Sequence, residues 1–167
     1  MTIVYRGRVF SVEAGRHTYP NGREFETEVV RHAPSVVIVP MADPDHVMLV
    51  GQYRPSIGRQ TWELPAGSLR EGERAEAAAA RESEEEVGLV PGHLVRIRGL
   101  YPAPGFCDEE LIFFLATDLR QPPPDSPHKP DDDEDIQVRT VSLAEARRMV
   151  ADGTIVDLKT AYGLTLV

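Results

Sequence analysis

The chain has 167 residues, of which 41% are hydrophobic and 27% are charged, and this length and composition are typical of one globular domain with a sizeable core. Its net charge of −9 disfavours broad binding to nucleic acid or to an anionic membrane, because both require a basic protein surface. Cys107 is the only cysteine, no apolar run approaches the roughly 18 residues of a membrane span, and the N-terminus lacks a signal-peptide pattern, so we expect a cytoplasmic protein without an internal disulfide.

Extended segments come first along the chain. Runs rich in β-branched residues and bounded by turn residues predict strands at residues 8–13, 24–32, 35–41 and 46–53. The sequence Tyr-Pro-Asn-Gly at residues 19–22 is a strong turn signal, and it predicts a hairpin between the first two strands. A further short strand at residues 62–64 ends at Pro65.

Helices and strands are mixed in the remainder. An alanine- and glutamate-rich stretch predicts a helix over roughly residues 74–87, which Gly88 ends. Apolar runs predict strands at residues 93–101, 109–119 and 136–141, whereas the proline-rich and then acidic residues 121–135 predict a loop. Ser142 and Glu145 form a capping box for a helix through Val150, and a last short helix begins near Asp157. This mixture implies an α/β or α+β sandwich.

The predicted helix at residues 74–87 carries three carboxylates on one face. Glu82 and Glu86 are four residues apart and Glu85 is three from Glu82, spacings that place side chains together on a helix. Like charges so placed repel one another unless a cation neutralises them. A hard divalent ion such as Mg²⁺ or Mn²⁺ prefers oxygen ligands, so the cluster indicates a metal site.

Two further features accompany this cluster. Arg81 lies beside it and is able to hold a carboxylate such as Glu73 in a bidentate pair. Gly67 and Gly88 bracket the segment. The alternative is a solvated glutamate-rich helix, which is common. Two observations weigh against a solvated helix. The carboxylates cluster on one face without a lysine partner, and glycines bracket the segment.

Residues 67–89 resemble the signature of the Nudix hydrolases. That signature is Gly, five residues, Glu, seven residues, Arg-Glu, an apolar residue, any residue, Glu-Glu, any residue, Gly and an apolar residue. Its seven fixed positions are all matched, by Gly67, Glu73, Arg81, Glu82, Glu85, Glu86 and Gly88. Ser83 departs from it, because the family usually has an apolar residue there, and this bears on the packing beneath the helix.

The resemblance implies a fold and a metal-dependent reaction. The expected fold is a Nudix-type α/β/α sandwich with a mixed β-sheet and an N-terminal antiparallel hairpin or sheet. The expected cofactor is Mg²⁺, with Mn²⁺ possible and more than one ion per site. By resemblance, the metal ligands are Ala66 through its carbonyl, Glu82 and Glu86, while Glu85 binds metal or orients metal-bound water. Glu73 and Arg81 would form a supporting pair.

Three other segments resemble the ADP-ribose pyrophosphatase branch of this family. They are Gln-Tyr-Arg at residues 52–54, Trp-Glu-Leu-Pro-Ala-Gly at residues 62–67, and Ala-Pro-Gly-Phe-Cys-Asp-Glu at residues 103–109. The resemblance implies that Arg54 contacts the phosphate or the terminal ribose of the substrate. It makes Pro104 a substrate-binding candidate and Glu63 either an adenine-recognition residue or a dimer contact. Trp62 is either core or a base-stacking partner, and core is favoured.

The acidic residues 131–135 follow the proline-rich loop. On composition alone they are a solvated segment. In the ADP-ribose pyrophosphatase branch this loop supplies a glutamate that acts as the base or binds a further metal. Glu134 is the only glutamate in the run and is the first candidate, followed by Asp132 and Asp133.

The resemblance also predicts the organisation and the substrate of the protein. Residues 1–34 are expected to form N-terminal strands that act as a dimerisation element, and residues 35–167 the catalytic domain of a homodimer. The expected reaction is hydrolysis of ADP-ribose to AMP and ribose 5-phosphate. Another nucleoside diphosphate sugar, such as GDP-mannose, is the alternative substrate. A non-catalytic ADP-ribose-binding module is disfavoured, because every signature carboxylate is present. Cys107 is expected to be a small buried residue.

Overall fold

A computed structural model describes residues 1–128 and 136–167 of the chain. Within them, a three-stranded antiparallel sheet is formed by β1 (Thr2–Arg6), β2 (Phe10–Thr18) and β3 (Glu24–His32), in that order. The central sheet contains β4 (Ser35–Asp43), β5 (His46–Arg54), β6 (Arg59–Glu63), β7 (Ala66–Ser68), β8 (Val90–Leu100), β9 (Leu111–Arg120) and β10 (Gln137–Ser142). The helices are α1 (Ala75–Glu82), which continues as a π-helix over Ser83–Val87, α2 (Leu143–Ala151) and α3 (Leu158–Gly163).

The central sheet is mixed. Its strand order is β10-β5-β4-β9-β8, with β6 paired to β5 and β7 paired to β4. Strands β4 and β9 run parallel at the centre, and the other pairs are antiparallel. The first seven residues of β4 and the first four of β9 are buried in succession, as expected where strands are covered on both faces.

The two faces of the central sheet are covered by different helices. On one face, Val36 and Ile38 of β4 pack with Ile112 and Phe114 of β9 against Ala78 and Ala79 of α1. On the other face, the alternate residues Val37, Val39 and Phe113 pack against α2 and against Leu164, which follows α3. This alternation along β4 and β9 follows from the two-residue period of a strand. The expected α/β/α sandwich with a mixed sheet is confirmed.

The N-terminal sheet has little contact with this core. None of the residues in β1, β2 or β3 is buried. The sheet is attached through β3, where the Val30 amide donates to the Phe106 carbonyl at 2.7 Å and the Asp108 amide donates to the Val30 carbonyl at 3.1 Å. Arg31 also pairs with Asp108 at 3.0 Å. The N-terminal strands are therefore a separate layer that is tied to the rest of the chain at one edge.

Several boundaries differ from those predicted from the sequence. Strand β1 was not predicted, and β2 begins at Phe10 and extends to Thr18 instead of spanning residues 8–13. Strand β6 ends at Glu63, where a strand at 62–64 was expected, and the three-residue β7 was missed. The hairpin turn at residues 19–22 and the N-cap bond from the Glu145 amide to Ser142 are confirmed. None of the described helices is long and apolar enough to cross a membrane.

Candidate active site

The site is built around the short strand β7 and the turn that precedes it. The Ile38 amide donates to the Pro65 carbonyl at 2.9 Å, and the Leu69 amide donates to the Pro34 carbonyl at 2.8 Å. These bonds fix both ends of β7 against β4. A Cβ atom at Gly67 would overlap the carboxylate of Glu82. Glycine is required at this position because the helix carboxylate lies directly against the strand backbone.

Arg81 binds three carboxylates through one guanidinium. Its Nε and Nη2 atoms donate to the two oxygens of Glu73, both at 2.9 Å, while Nη1 donates to Glu82 at 2.5 Å and to Glu85 at 2.7 Å. Nη2 also donates to the Ser68 carbonyl of β7 at 3.3 Å. The predicted bidentate pair of Glu73 and Arg81 is present, and the arginine additionally orients two carboxylates of the predicted metal site.

The electrostatic effect of this arrangement is largest at Glu73 and Arg81. Hydrogen bonds from Arg81 lower the pKa of Glu73 to about 2, against an opposing contribution from burial. The Arg70 amide donates a further bond to Glu73 at 2.9 Å. The same hydrogen bonds to Glu73 raise the pKa of Arg81 above its ordinary value. The pair is therefore fully ionised over the physiological range.

The helix residue Glu86, like Glu82, contacts the backbone of β7. One of its carboxylate oxygens accepts a bond from the Ala66 amide at 3.1 Å. Glu85 accepts a bond from Arg70 at 3.2 Å. A concave pocket of about 340 Å³ is lined by Val9, Ala66, Gly67, Ser68, Arg70, Arg81, Glu82, Glu85 and Glu86; we call it the carboxylate pocket. The structure thus brings together Ala66, Glu82, Glu85 and Glu86.

The donor set of the carboxylate pocket fits a hard divalent cation. It offers carboxylate oxygens from the helix beside the backbone of β7, and oxygen ligands are those that Mg²⁺ and Mn²⁺ prefer. Within the part of the chain that the structure describes, no three His, Cys, Asp or Glu side chains are grouped closely enough to hold an ion by themselves. Glu82 and Glu85 are instead turned toward Arg81, which compensates their charge.

A second concavity meets the carboxylate pocket at Ala66–Ser68. This cleft of about 350 Å³ is lined by His32, Ser35, Arg54, Ala66, Gly67, Ser68, Pro102, Glu109, Leu111, Asp157, Leu158 and Lys159. It adjoins another of about 610 Å³, which shares His32, Arg54, Glu109 and residues 157–159 with it and adds Thr61 and Glu63. Arg54 and Lys159 line both, as do the acidic residues Glu109 and Asp157. We call the two together the cationic cleft, after its two cationic side chains.

Glu63 is the buried anion beneath the cationic cleft. Its side chain is 3% exposed and accepts two bonds from Arg54, at 2.8 Å and 2.6 Å. Lys159 donates to the same carboxylate. Burial raises the pKa of Glu63, but the hydrogen bond from Arg54 and the charge of Lys159 lower it by more, so its pKa lies below its ordinary value.

The other sequence-predicted residues lie in several places. Pro104 is exposed and does not line the cationic cleft, whereas Pro102 does. Trp62, on β6, packs against the core, in agreement with the favoured interpretation. Cys107 is half-buried rather than fully buried, because it lies at the edge where β3 meets the loop before β9. Glu134 falls outside the described residues.

Sequence reasoning missed several residues of the cationic cleft, among them His32, Asp157 and Lys159. Asp157 is the N-cap of the short helix α3, Lys159 lies in its first turn, and His32 is the last residue of β3. None of them lies near the signature in sequence, and no spacing rule links them to it. The one available signal was that Lys159 is one of only two lysines in a chain otherwise rich in arginine.

Comparison with known proteins places the chain among related sequences and structures. Residues 31–159 match the NUDIX domain family. The chain is 34% identical to an ADP-ribose pyrophosphatase of Bacillus subtilis over 96% of this chain and 86% of that protein. It is 37% identical to an ADP-ribose pyrophosphatase of Mycobacterium tuberculosis over 98% of this chain and 79% of that protein. A crystal structure of an ADP compounds hydrolase superposes with a TM-score of 0.78 at 26% identity, over 98% of this chain and 87% of the other.

The pair of Glu73 and Arg81 predicts a specific acid sensitivity. The pKa of Glu73 lies at about 2 in the folded chain and at the ordinary value of 4.5 without these contacts. Because its pKa is depressed, Glu73 stabilises the fold at pH values above the ordinary pKa of 4.5. This contribution is lost as the pH falls from 4.5 toward 2. We therefore expect the free-energy difference in unfolding between the wild type and Glu73→Gln to be largest near neutral pH and to shrink below about pH 4.5.

Urea unfolding at a series of pH values measures this difference. The exposed neighbour Glu71 supplies the control, and Glu71→Gln should track the wild type at each pH. A Glu73→Gln deficit that stays constant between neutral pH and pH 3 would contradict an ion-pair origin.

Proposed function

The chain belongs to the Nudix family, and we propose that it hydrolyses the diphosphate bond of ADP-ribose to give AMP and ribose 5-phosphate. The observation that carries this proposal is the junction at Ala66–Ser68, where the carboxylate pocket meets the cationic cleft. A diphosphate needs both divalent cations and direct positive charge. The carboxylate pocket is proposed to hold the cations, and Arg54 and Lys159 of the adjoining cationic cleft carry positive charge. The relatives from B. subtilis and M. tuberculosis, named as ADP-ribose pyrophosphatases over nearly the whole chain, favour ADP-ribose as the substrate.

Nudix hydrolases generally use divalent metal ions, and we propose Mg²⁺ for this chain, with Mn²⁺ as a substitute and more than one ion bound. The residues that would hold the ions are Ala66 through its carbonyl, Glu82 and Glu86, with Glu85 as a further ligand or as a partner of metal-bound water. Bound there, the cations would polarise the diphosphate and lower the pKa of the attacking water. Their positive charge would also let an acidic protein accept an anionic substrate.

Other side chains of the site are proposed to position the ligands and to bind the substrate. Arg81 fixes the positions of Glu82 and Glu85, while its bonds to Glu73 and the Ser68 carbonyl hold the helix to β7. Arg54 presents its guanidinium to the cationic cleft and is proposed to bind a phosphate or the terminal ribose. Its partner Glu63 is enclosed by Arg54 and Lys159, which favours a positioning role over adenine recognition. Pro104 stays a substrate-contact prediction.

The general base is proposed to come from the acidic residues 131–135. Glu134 would accept the proton of the attacking water, or bind a further ion, once substrate is present. The water oxygen then forms a bond to phosphorus as the bond to the bridging oxygen breaks, which leaves a phosphate on each product. His128, the last described residue before this segment, has Nδ1 at 3.8 Å from Glu85. The described chain therefore comes close to the carboxylate pocket at His128.

We propose that two copies of the chain form a homodimer through residues 1–34. No residue of β1, β2 or β3 is buried within one chain. Large apolar side chains are nevertheless exposed there, including Ile3, Val4, Tyr5 and Phe10. A three-stranded sheet without a covered face is only marginally stable alone, and a second copy would bury these side chains. We also propose a cytoplasmic location, since a chain with one cysteine suits a reducing compartment.

The metal and base assignments make a joint prediction about activity. Glu82→Gln and Glu134→Gln should each lower kcat for ADP-ribose by about a hundred-fold or more, since each removes a group that acts on the reacting phosphate or water. Glu76→Gln and Asp131→Asn are the matched controls, because Glu76 is exposed on the same helix and Asp131 starts the same acidic run. Both controls should retain turnover near that of the wild type.

The assay follows AMP release from ADP-ribose with Mg²⁺ and after addition of a chelator. Circular dichroism checks that each variant is folded. Near-normal kcat in folded Glu82→Gln would refute the metal site, and equal small effects of Glu134→Gln and Asp131→Asn would refute the base. Wild-type protein that binds ADP-ribose without cleaving it would instead identify a binding module.

The dimer proposal predicts a change in mass. The wild type should elute as a dimer of the 18.5 kDa chain in size-exclusion chromatography with light scattering, and Tyr5→Glu should shift the population toward monomer. Val95 is equally exposed but lies on β8, so Val95→Glu should leave the mass unchanged. A monomeric wild type would contradict the proposal.

A further inference from the structure

Lys159 is held in the cationic cleft by two anions. Its ammonium donates to Glu63 and lies 3.1 Å from Asp157. The side chain is 13% exposed, yet it lines both parts of the cationic cleft and a neighbouring apolar recess. A lysine so enclosed loses much of its hydration, and its two anionic neighbours offset that cost.

Asp157 connects this lysine to the turn before β7. It accepts bonds from the amide and the hydroxyl of Thr160, at 2.9 Å and 2.6 Å. The Thr160 hydroxyl in turn accepts a hydrogen bond from the Leu64 amide at 2.7 Å. Leu64 is two residues before Ala66, so an ion pair and two hydrogen bonds link Lys159 to the segment that leads into β7.

Lys159 and Arg54 have more N–H donors than their bonds to protein acceptors use. An ammonium has three N–H donors and a guanidinium has five. Within residues 1–128 and 136–167, the recorded bonds of Lys159 go to Glu63 and Asp157, and those of Arg54 go to Glu63 alone. Both heads therefore keep N–H groups for the cleft, and Arg54 is 38% exposed. A purely structural ion pair would not need a place in the wall of two adjoining clefts.

We propose that Lys159 is a second diphosphate-binding cation, which acts with Arg54 on the phosphates across Ala66–Ser68 from the carboxylate pocket. Glu63 is the anchor that fixes both cations, since Arg54 donates to both of its oxygens and Lys159 donates to Oε2 as well. This inference rests on the proposed function only in that the substrate carries a diphosphate. It assigns to Glu63 a positioning role, and it makes the segment Asp157–Thr160 part of the active site.

Steady-state kinetics on ADP-ribose with Mg²⁺ tests the inference. Lys159→Met keeps the aliphatic stem and removes the charge, and it should raise KM by about ten- to a hundred-fold, the range for losing a hydrogen bond between charged groups. The change in kcat should be smaller, because the contact exists in the ground state as well as in the transition state. Lys159→Arg should restore most of the affinity. Arg120→Met, at the far end of β9 from the cleft, should match the wild type.

Competitive inhibition by adenosine separates phosphate contact from structural support. Adenosine lacks phosphate, so Lys159→Met should leave its inhibition constant unchanged. A wild-type KM for ADP-ribose in Lys159→Met would overturn the inference, and so would an equal loss of affinity for adenosine and ADP-ribose. If Lys159→Met does not fold, Lys159→Arg is compared with Arg54→Met. A KM for ADP-ribose raised as far in Lys159→Arg as in Arg54→Met would also overturn the inference, because a positive charge at position 159 would then not be enough to bind the phosphates.

Failure of the proposed function has a different outcome. A wild type that is inactive on ADP-ribose but cleaves GDP-mannose would refute the substrate assignment, and the Lys159 comparison would then be made with that sugar nucleotide. A wild type active on ADP-ribose beside an unaffected Lys159→Met variant would refute the Lys159 inference alone.

Discussion

The guanidinium of Arg81 is the interaction on which the site depends. It is 6% exposed and binds Glu73, Glu82 and Glu85 at once. Three carboxylates at this spacing would repel one another and disorder the end of the helix if no cation lay among them. By compensating their charge, Arg81 lets the chain fold with the carboxylates proposed as ligands of a divalent ion held close together. The bond from Arg81 to the Ser68 carbonyl then ties this cluster to the strand.

The second constraint is the position of β7 between two helices. Helix α1 covers one face of the central sheet and brings Glu82 and Glu86 onto the backbone of Ala66 and Gly67. Helix α3 lies on the other face, where its Thr160 accepts a hydrogen bond from the Leu64 amide and its Lys159 lines the cationic cleft. The alternating pattern of β4 and β9 thus places the proposed metal ligands and the proposed phosphate-binding groups at one turn. Function follows here from which face of the sheet each helix covers.

The sequence was informative where function requires a local pattern. Glu73, Arg81, Glu82, Glu85 and Glu86 lie within one helix and the turn before it, so helical spacing alone brings them together. Ser83 was the one departure from the family pattern. The structure accounts for it, because its buried hydroxyl donates to the Leu89 carbonyl at 2.8 Å. The π-helix at Ser83–Val87 was not foreseen, since residue spacing does not distinguish it from a continued α-helix.

Residues of the site that are distant along the chain could not be found in this way. Lys159 and Glu63 are separated by 96 residues and meet only because α3 packs against the turn after β6, where Thr160 accepts a hydrogen bond from the Leu64 amide. Strand β7 was missed because Ala-Gly-Ser carries no strand propensity, and it forms only because β4 offers a pairing edge. Strand β1 was missed because its pattern lacks a buried face within one chain. Long-range packing decides each of these features.

Binding of Mn²⁺ to a Gly67→Ala variant tests most directly whether the contact between helix and strand creates the metal site. The added Cβ would displace the Glu82 carboxylate, while Gly105→Ala is a control with open space around the new atom. Titration followed by electron paramagnetic resonance should show Mn²⁺ bound by the wild type and Gly105→Ala, and bound about ten-fold or more weakly by folded Gly67→Ala. Equal Mn²⁺ affinity in all three proteins would contradict the account.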